Sequence, residues 1–155
     1  MSVPEDGLEP IVLSIDLDAT PAEAYRRFTE GFGGWWPVRT HSLSRDARTR
    51  CELEAWPGGR LLEVAPDGAE HLWGRIEAAA PGKGLRFSWH PGREEDSAQW
   101  VEVAFEPRGE GCRATLSHGG WEALGEIAPL LRREYLPGWQ HVFGDLFARF
   151  AAQHS

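Results

Sequence analysis

The chain has 155 residues, with 24 acidic against 16 basic side chains, a net charge of −8 and one lysine, Lys83. It carries no cluster of Lys or Arg, which argues against nucleic acid and anionic membrane surfaces as partners. No stretch approaches the ~18 consecutive apolar residues of a membrane span.

One domain of this length buries roughly 68–70% of the surface its unfolded chain exposes, enough for a sizeable core or pocket. Cys51 and Cys112 have neither the number nor the spacing of a disulfide framework or a zinc site, and no apolar signal segment precedes the first strand. The expectation is a reduced, cytoplasmic protein.

Residues 1–9, rich in Pro, Gly and acidic side chains, read as a loose N-terminal arm, with a single domain over 10–152. From Ile11 to Asp18, Ile11, Leu13, Ile15 and Leu17 alternate with a set that turns polar, the pattern of a half-buried strand. Thr20-Pro21-Ala22-Glu23 combines an N-cap, a proline at the first helical position and a capping-box Glu, which starts a helix at Pro21. The helix yields to Gly31-Phe32-Gly33-Gly34, and Trp35-Trp36-Pro37 marks a packed corner before a polar loop over 38–48.

Cys51, Leu53 and Ala55 alternate with Glu52 and Glu54, and Pro57-Gly58-Gly59 turns the chain into a strand over Arg60–Ala65. Further strands follow over 70–79 and Leu85–His90, then one around Trp100–Phe105 and one carrying Ala114, Leu116 and His118 on a single face. Turns recur at the interval of an antiparallel meander. The tail from Leu124 places Leu131, Tyr135, Trp139, Val142, Phe143, Leu146 and Phe150 at helical spacing. Pro137 predicts a break, with a short helix up to about Glu134 and a longer one from Pro137; a single kinked helix is the alternative.

Several landmarks occur in a telling order: the strand–helix opening, Trp35-Trp36-Pro37, the Gly74 strand, Leu85-x-Phe87-x-Trp89, Val101-x-Val103-x-Phe105, Thr115-Leu116-Ser117-His118-x-Gly120 and Gly138-Trp139. In that order the chain resembles the bacterial homologues of the heat-shock protein 90 ATPase activator, within the START-like or SRPBCC helix-grip superfamily, over roughly residues 10–152. The resemblance implies an α+β helix-grip fold: a curved seven-stranded antiparallel sheet around a long C-terminal helix, with two short helices after the first strand and a cavity between sheet and helix. In the wider superfamily that cavity holds lipids, sterols, polyketides or plant hormones, and some members catalyse cyclisation or hydration in it. The family carries no invariant catalytic residues that transfer to this sequence.

The expected cavity walls are Leu85, Phe87, Val101, Val103, Phe105, Leu116, Trp139 and Phe143, with Trp35, Trp36 and Trp89 beside them, because large aromatics bury much area in apolar sites. His118 shares the parity of Leu116, so its ring points inward, where it could bind a ligand or exchange protons. A buried histidine satisfied by a backbone carbonyl is the stronger expectation. Glu52, Glu54, Glu63 and Glu70 read as a solvated outer face, Cys51 as a small core residue, and the histidines lack metal-ligand spacing. No nucleophile elbow or phosphate-binding loop is present.

The reading is therefore a protein that binds a small apolar or amphipathic molecule in a cavity of ~300–1,000 Å³, without metal, cofactor or assigned catalytic residue. An enzyme of the cyclase or hydratase kind would need a second inward polar group beside His118, for which His141, Gln99 and Tyr135 are the candidates. A chaperone- or protein-interaction module would use Trp56, Trp73 and Trp100 on the outer sheet face, where homodimerisation is also expected.

Overall fold

The computed structural model describes residues 8–153. Residues 1–7 of the expected arm and His154 lie outside that range.

Strand β1 (Ile11–Leu17) leads into α1 (Pro21–Thr29) and the single-turn α2 (Phe32–Trp35). Strands β2 (Arg50–Leu53), β3 (Arg60–Val64), β4 (Glu70–Ala80), β5 (Gly84–Trp89), β6 (Gln99–Arg108) and β7 (Gly111–Gly119) follow. They form one antiparallel sheet in the order β1-β7-β6-β5-β4-β3-β2, so each strand after β1 pairs with its sequence neighbour and β1 closes on β7, with Ile11 opposite His118. This is the helix-grip architecture that the sequence predicts.

The capping box at α1 forms on both sides: Thr20 Oγ1 accepts the Glu23 N–H at 3.1 Å and Glu23 Oε1 accepts the Thr20 N–H at 3.0 Å. Ala24, Tyr25 and Phe28 are buried, and Arg27 Nη1 donates to the Ala151 carbonyl at 3.1 Å, tying α1 to the far end of the chain.

The C-terminal segment differs from the favoured expectation. Helix α3 (Ala128–His141) continues unbroken through Pro137, is followed by a π-helical stretch over Val142–Phe147, and ends as α4 (Ala148–Gln153). Pro137 removes the donor for the Arg133 carbonyl, but both residues are exposed, so the freed acceptor is open to solvent. The buried Trp139, Val142, Phe143 and Phe147 then hold the helix on its course. Among the described residues no helix is long and apolar enough to cross a membrane.

Two further expectations are corrected. Trp73 is 1% exposed, not on the outer face. The β3–β4 register jumps from Leu61↔Gly74 to Leu62↔Leu72, leaving Trp73 as the extra residue of a bulge, and a bulge re-aims its side chain where plain alternation would send it out. Glu63 is fully buried, because it pairs with Cys51 across β2 and shares that residue's inward face.

The Glu63 carboxylate accepts four hydrogen bonds: Leu43 N–H at 2.7 Å, Ser44 N–H at 2.9 Å, Ser44 Oγ at 2.7 Å and Trp73 Nε1 at 3.0 Å. Burial alone would raise its pKa, but these donors hold it below the ordinary carboxylate value. The loop over 38–48 is thereby pinned to the sheet by one ionised side chain. Glu63→Gln replaces an acceptor oxygen with a donor facing other donors, so it should cost about 2–4 kcal/mol in urea unfolding and expose the loop to protease cleavage. A variant as stable and as protease-resistant as the parent would contradict this role.

Candidate functional site

A cavity of about 200 Å³ lies where α3, the pinned loop and the β4–β5 end of the sheet meet. Tyr135, Gly138, Trp139 and Val142 line it from the helix, residues 40–43 and Arg45 from the loop, and Trp36, Trp73, Trp89 and Pro91 from below. It is smaller than the ~300–1,000 Å³ expected from the sequence.

Its four tryptophans touch one another: Trp36 lies 5.3 Å from Trp73 and 5.9 Å from both Trp89 and Trp139, and Trp89 lies 5.5 Å from Trp139. Every indole N–H in this group is used by the protein. Trp36 donates to the His41 carbonyl at 2.7 Å, Trp73 to Glu63 at 3.0 Å, Trp89 to Tyr135 Oη at 3.0 Å and Trp139 to His118 Nδ1 at 2.9 Å. With their polar edges satisfied, the rings offer apolar faces to an occupant.

His118 is fully buried and does not line this cavity. Because Nδ1 accepts from Trp139, the proton sits on Nε2, which donates to Gln99 Oε1 at 3.3 Å; Gln99 in turn donates to the Ser97 carbonyl at 2.7 Å. Trp121 stacks on the imidazole with centroids 4.1 Å apart. The ring is thus satisfied, by side chains and not by the backbone carbonyl expected. Burial pushes its pKa down to about 3, so it is neutral at physiological pH and joins sheet to helix.

Of the twelve residues singled out as cavity candidates, Trp36, Trp89 and Trp139 border the cavity. Leu85, Phe87, Val101, Val103, Phe105 and Leu116 form the packed inner face of β5–β7, and Trp35 and Phe143 join Phe28 and Phe147 in an aromatic core beneath the helix. His118 lies behind Trp139 and Tyr135. Strand parity identifies inward residues well, but it does not distinguish a solid core from a void. The loop residues His41, Ser42 and Arg45 and the bulged Trp73 carried no periodic signal.

A second crevice of about 520 Å³ runs between α1 and the turns at 53–56 and 81–82. Trp56, 59% exposed, is its single large aromatic wall beside Tyr25, whose buried hydroxyl has no hydrogen-bond partner among the described residues. Trp100 is half-buried under the Arg86 guanidinium, 4.7 Å from the ring centroid. Both cysteines are buried and unpaired, and burial followed by the charges of Glu63 and Glu52 pushes the Cys51 thiol up to about 12, far from a nucleophile's range. Among the described residues, no three His, Cys, Asp or Glu side chains gather as metal ligands.

The neutral His118 has a pH signature. Its folded value lies below the ordinary 6.5, so the unfolded chain takes up the extra proton and stability falls as pH drops from 6.5 towards about 3, by up to ~1.4 kcal/mol per pH unit. His118→Gln should lower stability overall yet flatten the pH dependence of urea unfolding between about pH 6 and 4 by roughly one proton. Equal slopes in parent and variant would contradict the buried neutral assignment.

The fold recurs among solved structures. Protein NE0264 from Nitrosomonas europaea is 15% identical over 94% of each chain, with a TM-score of 0.62. The Aha1 dimer from Colwellia psychrerythraea, solved in solution, is 15% identical over 88% of this chain and 92% of that one, with a TM-score of 0.63. An anthrahydroquino-gamma-pyrone synthase, Txn09, solved as a complex, is 27% identical over 94% of this chain and 97% of that one, with a TM-score of 0.59. No curated protein sequence gave a match. Residues 18–151, nearly the whole described fold, match the family described as Activator of Hsp90 ATPase homolog 1-like protein, and the chain belongs to that family.

Proposed function

We propose that this domain binds a small, largely aromatic molecule in the cavity beneath α3. The observation that carries the reading is the ring of four tryptophans whose N–H groups are all consumed by the protein, leaving apolar faces around about 200 Å³. An apolar cavity of ~150 Å³ accepts benzene, so this one suits one or two fused rings, and a larger polycycle would need α3 to move. The family's fold is consistent with cavity-forming binding proteins, and the 27% identical synthase is named for an aromatic product.

That neighbour also favours a second reading, an enzyme acting in the same cavity. The groups available to such chemistry are the Tyr135 hydroxyl and the rim histidine His41, since both nitrogens of His118 are engaged. Self-association is a further part of the proposal: the Colwellia protein is a dimer, and Trp56 is the large aromatic this chain leaves most exposed. The buried, unpaired cysteines accord with a reducing, cytoplasmic setting.

Gly138 supplies the test. A Cβ there meets nothing within 4 Å, and the residue lines the cavity from a helix interior. Gly138→Leu should therefore keep the fold, gaining about 0.5–1 kcal/mol from helix propensity, while occupying the binding space. With 2-naphthol as probe, the parent should melt at a higher temperature and the variant should not respond. An equal thermal shift in both would reject the cavity as the site.

A further inference from the structure

Arg45 places a fixed positive charge at the cavity mouth, although the chain as a whole carries −8. His41 from the loop and His141 from α3 face each other with ring centroids 6.1 Å apart. Arg45 lines the same mouth, is exposed, and has no ion-pair partner among the described residues. It is also the one described non-glycine residue with positive φ, at 50°. Ser42 Oγ accepts the Arg45 N–H at 2.8 Å and donates to the Val38 carbonyl, so a strained turn fixes the backbone from which the Arg45 side chain reaches the rim.

The nearby acids are already committed. Asp145 lies 3.9 Å from His141 Nδ1 but is held by Arg149 at 2.9 Å, and Glu63, behind the loop, spends its oxygens on four donors. Within the cavity, Tyr135 Oη accepts from Trp89 and keeps its own proton, for which the described residues supply no acceptor. Arg93 adds positive charge near that phenol. The polar side chains at the cavity thus include the Tyr135 hydroxyl proton, the Arg45 guanidinium and the His41 ring, set around an aromatic box.

From this arrangement we infer that the ligand is an aromatic carboxylate: its ring system packs among the tryptophans and its planar monoanion is taken by Arg45 and the His41–His141 pair. The inference rests on the cavity reading above and adds the charge to it. A guanidinium matches a carboxylate in plane and in donor spacing. His41 adds a pH dependence. Burial and the positive neighbours His141 and Arg45 lower the His41 pKa, and a bound anion offsets that repulsion. Thr40, whose hydroxyl lies 2.7 Å from His41 Nδ1, leaves Nε2 free for the ligand. Affinity should rise as pH falls from about 7.5 to 5.5, a range in which a carboxylate of ordinary pKa stays ionised.

The test is calorimetric titration with 2-naphthoate and its neutral methyl ester at pH about 6 and low salt. The carboxylate should bind about tenfold more tightly than the ester. Arg45→Asn removes the charge with a residue that tolerates positive φ, and should bring the carboxylate down to the ester's affinity while leaving the ester unchanged. His41→Gln should abolish the pH dependence, and His141→Gln should weaken the carboxylate while leaving the ester unchanged. Equal binding of acid and ester by the parent overturns the carboxylate assignment and leaves the cavity reading standing; absence of binding by either overturns both. A preference for the acid that survives all three substitutions also overturns the assignment, since recognition then lies elsewhere.

Discussion

One fully buried hydrogen bond constrains how the C-terminal helix meets the sheet, Trp139 Nε1 donating to His118 Nδ1 at 2.9 Å, and a second, from Trp89 Nε1 to Tyr135 Oη at 3.0 Å, acts in the same sense. Hydrophobic packing is non-directional and would tolerate rotation of the helix, but a buried N–H and a buried imidazole nitrogen each lose stabilisation if they part. The bonds therefore constrain the rotation of α3. Tyr135, Gly138 and Val142 consequently face the cavity, while Phe143 and Phe147 are driven into the aromatic core. The imidazole can accept only because burial keeps it neutral, and it can be buried because Gln99 takes its remaining proton.

The opposite wall depends on a second buried polar group. Glu63 draws residues 43 and 44 onto the sheet through two backbone N–H groups and a hydroxyl, and it holds the indole of Trp73 as well. One carboxylate thereby positions both the loop and one of the four tryptophans. Between these two anchors the cavity is the space that neither helix nor loop closes. Its walls consume their own indole N–H groups, while the Tyr135 hydroxyl proton has no acceptor among the described residues and Arg45 has no ion-pair partner among them.

Much of the fold was legible in the sequence because it is written in local rules. Alternation marks the strands at Leu85–Trp89 and Val101–Phe105, the Thr20–Glu23 capping box marks the start of α1, and the long apolar stripe marks the gripped helix. Pro137 misled because a local rule about donors was outweighed by burial on the opposite helix face. Trp73 and Glu63 misled for related reasons: a bulge shifts parity in β4, and cross-strand pairing with Cys51 places a carboxylate on an inward face where four donors can reach it. The cavity lining was visible only in small part. Trp36, Trp89 and Trp139 were identified from their positions on the gripping elements, but the rim comes from an aperiodic loop whose path is set by tertiary hydrogen bonds.

The account's central claim is the location of the binding site, and the indole N–H resonances report on it directly. In a ¹H–¹⁵N spectrum of the ¹⁵N-labelled protein titrated with 2-naphthol, the Nε1–H signals of Trp36, Trp73, Trp89 and Trp139 should move together and saturate together, while those of Trp56 and Trp100 stay in place. Shifts concentrated at Trp56, with the four cavity signals unmoved, would put the ligand in the crevice beside α1 and contradict the account.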